Sequence, residues 1–195
     1  MTQSKTLDTR KLVLLAMLTS IVAVLQFLGA SIKFGPFSIS LVLMPIAVGA
    51  ALIGVWAGAW LGLAFGIVVL LSGDAAAFLM INPFGTFLVV LLKGAAAGFA
   101  AGVVYRALAP RGRTGAAIAA AAVCPVVNTG IFILGAYLFF LQTISEWGAG
   151  LGFANATAYI FLGMVGGNFL FELALNLILS PVIVRLIQYG QTGKS

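Results

Sequence analysis

The chain contains no histidine, one cysteine and only four acidic residues among its 195. Each scarcity closes off a class of chemistry. Without histidine there is no zinc-peptidase centre, no histidine-ligated haem and no Ser-His relay. One thiol, Cys124, lies within an alanine-rich apolar run and cannot build a disulfide framework or a thiolate metal cluster inside a single chain, so no metal is expected. No GxxxxGK[ST] loop is present to cradle phosphates, so any ATP would be hydrolysed by another subunit. With no paired aspartates and no recognisable nucleophile motif, the chain reads as a non-enzyme, and nothing in it calls for a cofactor.

Charged residues make up 7% of the sequence and hydrophobic ones 63%, where soluble domains are about a quarter charged. The chain therefore reads as an all-α integral membrane protein. The net charge of +6 does not point to nucleic acid, because the basic residues sit at helix ends rather than in a stripe with interleaved aromatics. The first apolar run, Leu12 to Ala30, is longer than the core of a secretory signal and is followed by further membrane segments. It is read as a retained helix.

Six transmembrane helices with short loops are expected in a single membrane domain covering 1–195, at about 12–30, 39–53, 55–71, 84–108, 115–141 and 158–188. With six spans, Lys5, Arg10, Lys11, Arg106, Arg111, Arg113, Arg185 and Lys194 all fall on one side, which places both termini in the cytoplasm and Lys33 outside. The connections after the first, third and fifth helices then face out. Gly35-Pro36 marks a turn, and the alternation of Phe37, Ile39 and Leu41 suits a short extended piece. Pro45 is expected to kink the second helix. Ala16, Ser20 and Ala23 form a small-residue stripe on the first helix, and Gly58, Gly62 and Gly66 recur every four residues on the third. Both patterns allow another helix to approach closely. The stretch from Gln142 to Thr157 reads as a polar connection, with Trp147 suited to a membrane interface.

One residue breaks the apolar pattern of the fourth helix. Lys93 lies about 15 Å along it from Pro83, near mid-bilayer, where an ionisable group costs at least ~2.5 kcal/mol and turns toward protein or a water-filled cavity. Thr86 shares its stripe, and Gly94, Ala97, Gly98, Ala101 and Gly102 follow on a face with almost no side chain. On the last helix Asn168, Glu172 and Asn176 recur at four-residue intervals, a polar stripe that should face inward. Asn128 on the fifth helix and Asn168 fall near the depth of Lys93, and Glu172 lies about one turn deeper. Lys93, Asn128, Asn168, Glu172, Thr86, the loop-closing Asn82 and the aromatic Phe34 and Trp147 are the candidate ligand-binding residues. Phe34, Phe37, Phe78, Phe84, Trp147 and Phe153 are candidate walls and lid. Asp74 and Glu146 read as solvated loop charges. Two other readings stay open: Glu172 simply neutralises Lys93 while the asparagines bond helices together, or Lys93 and Glu172 form an ion relay in a stand-alone transporter or channel.

Several segments together resemble a known family: the basic start Arg10-Lys11-Leu12, the alanine-rich first helix, NPFGTFLVVLLKG from Asn82 to Gly94, CPVVNTG from Cys124 to Gly130, and GGNFLFELALNLILSP from Gly166 to Pro181. Across nearly its full length the chain is similar to the substrate-binding S component of energy-coupling factor (ECF) vitamin transporters. The resemblance implies a bacterial plasma-membrane protein that binds a vitamin near the outer face, between helices four to six. It implies as partners a transmembrane coupling subunit and two cytoplasmic ATPases. It also implies a docking motif on the first helix, read here as Ala16-x-x-x-Ser20 with Ala23 beside it, and delivery by toppling of the subunit in the membrane. Gly58 and Gly62 are further expected to suit such reversible contacts. Lys93 hints at a carboxylate, phosphate or hydroxyl-rich ligand, unless Glu172 neutralises it.

Overall fold

In a hydrocarbon layer the backbone N–H and C=O groups of an apolar run have no partners but each other, and the outcome is helix. The structure is a computed structural model that describes residues 9–31, 33–34, 37–38, 41–179 and 185, with backbone alone at 33–34 and 37–38. In chain order its elements are α1 (Thr9–Ala30), β1 (Lys33–Phe34), β2 (Phe37–Ser38), α2 (Leu43–Leu52), α3 (Val55–Leu71), α4 (Ala76–Ile81), α5 (Pro83–Leu108), α6 (Arg113–Phe139) and α7 (Leu141–Gly150). A last helix follows, opening as α8 (Ala156–Ala158), widening into a π-helical stretch over Tyr159–Gly166 and closing as α9 (Gly167–Ile178). Four helices are long and apolar enough to cross a membrane: Thr9–Ala30, Pro83–Leu108, Arg113–Phe139 and Ala156–Ile178. Two apolar helices, Leu43–Leu52 and Val55–Leu71, are shorter.

The details depart from the sequence expectation in places that have physical causes. The extended piece is a two-stranded antiparallel pairing, Lys33 opposite Ser38 and Phe34 opposite Phe37. Helix α2 begins at Leu43 rather than near 39, which puts Pro45 in its first turn, where a missing N–H breaks no intrahelical bond and no kink is required. The loop after α3 contains the short α4, and the stretch read as a polar connection is largely the helix α7. Its glycines masked an amphipathic pattern that buries Ile144 and Gly148 and exposes Gln142 and Glu146. The expected continuation of the last helix to Gln188 falls on residues outside those described, save Arg185.

The glycine repeat of α3 is spent within the chain. A Cβ on Gly58 would collide with the carbonyl of Gly98, and one on Gly62 with the carbonyl of Gly94. One on Gly66 would stand 2.8 Å from the carbonyl of Val90. Gly58 and Gly62 therefore form the internal seam between α3 and α5, and the expectation that they suit reversible helix contacts is corrected. Around this seam α1, α2, α3, α5 and α6 share one apolar core that includes Leu43, Ile46, Leu61, Phe65, Ala97 and Cys124. A second core joins α6, α7 and the last helix through Phe140, Ile144, Tyr159, Ile160 and Met164. Large apolar side chains elsewhere, such as Met17, Val24, Leu134, Leu138 and Leu162, point outward, as a surface in contact with lipid requires.

Candidate ligand-binding site

Between the two cores lies a cavity with about 100 Å³ of space open to water. Phe65, Val69, Ala75 and Val90 bring the first core to its wall, and Phe140, Met164 and Val165 bring the second. Five of the residues expected from sequence line it together: Thr86 and Lys93 from α5, Asn128 from α6, Asn168 and Glu172 from α9. The helical spacing is the reason. Thr86 and Lys93 are two turns apart on α5, and Asn168 and Glu172 one turn apart on α9, so each pair shares a face.

Lys93 is held by aromatic faces. Its Nζ lies 5.6 Å from the ring centroid of Phe65 on α3 and 5.6 Å from that of Phe132 on α6, a distance at which the ring quadrupole attracts an ammonium. The carboxylates of Glu172 and Asp74 interact with it electrostatically. Glu172 is only 3% exposed; its Oε1 accepts from Asn168 Nδ2 at 3.3 Å, and its main-chain carbonyl accepts from Asn176 Nδ2 at 2.9 Å. Thr86 is buried with its hydroxyl donating to the Asn82 carbonyl at 2.8 Å. The buried Oδ1 atoms of Asn128 and Asn176 have no hydrogen-bond partner among the described residues.

The cavity also contains residues that the sequence reading missed or misassigned. Gln26 of α1 is 1% exposed and lines the wall. Its Nε2 donates to Oδ2 of Asp74 at 3.2 Å, and Asp74 lines the wall as well. Asp74 is thus no simple solvated loop charge, whereas Glu146 is exposed on α7 as expected. The signal for Gln26 was the one that revealed Lys93: a lone polar side chain within an apolar helix. Phe78 of α4, expected as part of the wall, lines the cavity and meets three rings edge-on, Phe132 at 5.9 Å, Phe140 at 5.0 Å and Trp147 at 5.8 Å.

Other expected members lie elsewhere. Asn82 is the N-cap of α5, its side chain accepting from Gly85 N at 2.9 Å, and does not line the cavity. Such a cap satisfies a backbone donor that the helix start leaves open. Trp147 packs edge-on against Phe78 and does not line the wall. Phe84 is 73% exposed, because the first turn of α5 turns it away from the bundle. Phe153 packs on Tyr159. The side chains of Phe34 and Phe37 lie outside what the structure describes. On α1, Ala16 and Ser20 are exposed and Ala23 is half-buried, with the Ser20 hydroxyl donating to the Ala16 carbonyl at 3.1 Å.

Apolar helices of spanning length around an aromatic-walled, polar-studded cavity define a membrane protein built to hold a small molecule. The comparisons give that class a family. A model of the family described as ECF transporter, substrate-specific component, matches residues 10–184. The chain belongs to this family. A solved structure of ThiT from Listeria monocytogenes superposes with a TM-score of 0.68 at 24% identity, covering 92% of this chain and 99% of that one. At that identity the likeness is one of fold. No curated protein matches the sequence.

Proposed function

We propose that this protein is the high-affinity binding subunit of an ATP-driven ECF importer for a vitamin or a related small molecule. The ligand is held in the cavity between α3, α5, α6 and α9 and is delivered when the subunit reorients in the membrane. The observation that carries the reading is the gathering of Thr86, Lys93, Asn128, Asn168 and Glu172 from three helices onto one cavity wall, in a chain that belongs to the substrate-specific family. Ionisable and amide groups are costly inside a membrane protein, and such a gathering is what a polar ligand requires.

In this proposal the protein crosses the bacterial plasma membrane six times with both termini in the cytoplasm. The exposed stripe of Ala16 and Ser20, with Ala23 at its margin, receives the transmembrane coupling subunit, and two ATPases drive that subunit from the cytoplasm. The protein itself catalyses no reaction. The test is in two parts. Purified protein is denatured and the released small molecules are identified by mass spectrometry, and the protein is reconstituted in liposomes with and without the coupling module. A stoichiometric vitamin together with uptake that requires both ATP and the module is the expected result. Flux driven by an ion gradient in liposomes containing this protein alone would overturn it in favour of a Lys93–Glu172 relay.

A further inference from the structure

Helix α6 has 27 residues and is about 40 Å long, against a hydrocarbon layer of about 30 Å. Its first residue, Arg113, belongs outside that layer, so the other end, at Phe139, reaches the opposite headgroups. In the topology proposed above these belong to the outer leaflet. Leu134 and Leu138, one turn apart near that end, are exposed toward lipid, and Leu141, just past it, is exposed as well. Leu141 also lines a second cavity, an open groove with about 660 Å³ of space open to water. The groove therefore lies at headgroup level, beside a surface that acyl chains cover.

Tyr137 of α6, Gln142 and Glu146 of α7, and Asn155 and Thr157 at the opening of the last helix also line it. Two hydrogen bonds set its polar rim. The Tyr137 hydroxyl donates to Thr157 Oγ1 at 2.9 Å, and Asn155 Oδ1 accepts from Ala158 N at 2.8 Å as the N-cap of α8. Each bond uses an acceptor, which leaves the Thr157 hydroxyl proton and the Asn155 amide as donors. Among the described lining residues only Glu146 carries a formal charge. It is exposed, and its Oε1 accepts from Gln142 Nε2 at 3.5 Å, a long bond from a neutral amide. One carboxylate with neutral donors beside it suits a zwitterion. A primary ammonium gives the carboxylate charge-assisted hydrogen bonds, and a phosphodiester accepts from hydroxyl and amide. A headgroup of net negative charge is repelled by Glu146 and brings nothing to pair with it.

We infer that this groove is a lipid site selective for a phospholipid with a primary-amine headgroup. The ammonium sits on Glu146, the phosphate meets Asn155 and Thr157, and the acyl chains lie along Leu134 and Leu138. The groove is separate from the cavity between α3, α5, α6 and α9, and the inference does not depend on what that cavity holds. The test is native mass spectrometry of the full-length protein, mixed in detergent with equal amounts of phosphatidylethanolamine and phosphatidylglycerol of identical acyl chains.

The ethanolamine lipid is expected to be retained about fivefold more often than the glycerol lipid, the upper yield of one exposed ion pair. Glu146→Gln should bring the two within about twofold of each other, and because the residue is exposed the variant should fold as the parent does. Soluble glycerophosphoethanolamine, which has the same headgroup and no tails, should leave most of the bound lipid in place at equal concentration. Equal retention of the two lipids, a preference for the glycerol lipid, or an ethanolamine preference that survives Glu146→Gln overturns the inference. Displacement of the lipid by the tail-less headgroup also overturns it, since the groove would then be a site for a free amine. None of these outcomes bears on whether the protein releases a vitamin on denaturation or requires ATP for uptake, so failure of the importer reading is seen separately.

Discussion

A side chain on Gly62 would begin inside the carbonyl group of Gly94, and one on Gly94 inside the carbonyl group of Gly62. The two backbones of α3 and α5 are therefore in direct contact one residue from Lys93, and the spacing that sets Phe65 against the ammonium is a property of that seam. Gly62→Val should destabilise the protein by about 3 kcal/mol, the upper range for overpacking in a rigid contact. Gly130→Ala, where an added Cβ meets nothing within 4 Å, should leave stability unchanged or slightly raised. Thermal unfolding in detergent measures both. An undiminished melting temperature for Gly62→Val would mean that the seam is not rigid.

Lys93 and Glu172 are expected to behave as one unit. Removing a single partner leaves a charge inside the bundle with less compensation, so Lys93→Met should destabilise by roughly 3 kcal/mol. Adding Glu172→Gln should restore more than half of the loss. A double-mutant cycle on unfolding free energies reads the coupling, and strictly additive effects would show that the two groups are energetically separate.

Phe78 lines the cavity and contacts three rings: Phe132 of α6, Phe140 at the junction of α6 and α7, and Trp147 of α7. Each edge-on pair contributes about 0.5–1.5 kcal/mol beyond simple burial. For the molecule recovered from the purified protein, Phe78→Ala should speed dissociation at least about tenfold, the equivalent of one such contact. Phe84→Ala should leave the off-rate as it is, since that ring is exposed. Stopped-flow dilution of the loaded protein separates the two variants.

On α1, bulk is predicted to uncouple transport from binding. Ala16→Leu with Ser20→Leu should leave affinity for the recovered ligand within about twofold, because both residues are exposed and neither lines the cavity. The same pair should abolish co-purification with the coupling module and ATP-dependent uptake. Loss of ligand binding, with assembly intact, would refute a docking role for this face.

Much of the site was legible because a polar side chain within an apolar helix carries its own message. Lys93, Asn128, Asn168 and Glu172 had to face inward, and helical spacing was enough to align them. Asp74 was misread because a charge in a loop is ordinarily solvated, and only the folded chain brings Gln26, 48 residues away, within hydrogen-bond reach. Small-residue stripes proved ambiguous for a related reason. The pattern at Gly58 and Gly62 announces a close helix contact without saying whether the neighbour is α5 or another subunit. The π-helical stretch over Tyr159–Gly166 had no recognised signature at all.

Helix α2 has only 10 residues, about 15 Å and half the thickness of a bilayer's hydrocarbon. Eight of them are buried. It meets the seam at Gly58, through Ala50, and at Gly98, through Ile46, which lies past Lys93 toward the end of α5. No residue of α2 lines the cavity. At that end of the seam α2 packs the interior, and the cavity is lined from the other helices. In the importer proposed above, release past α2 requires either that this packed helix be displaced or that the whole subunit be turned over.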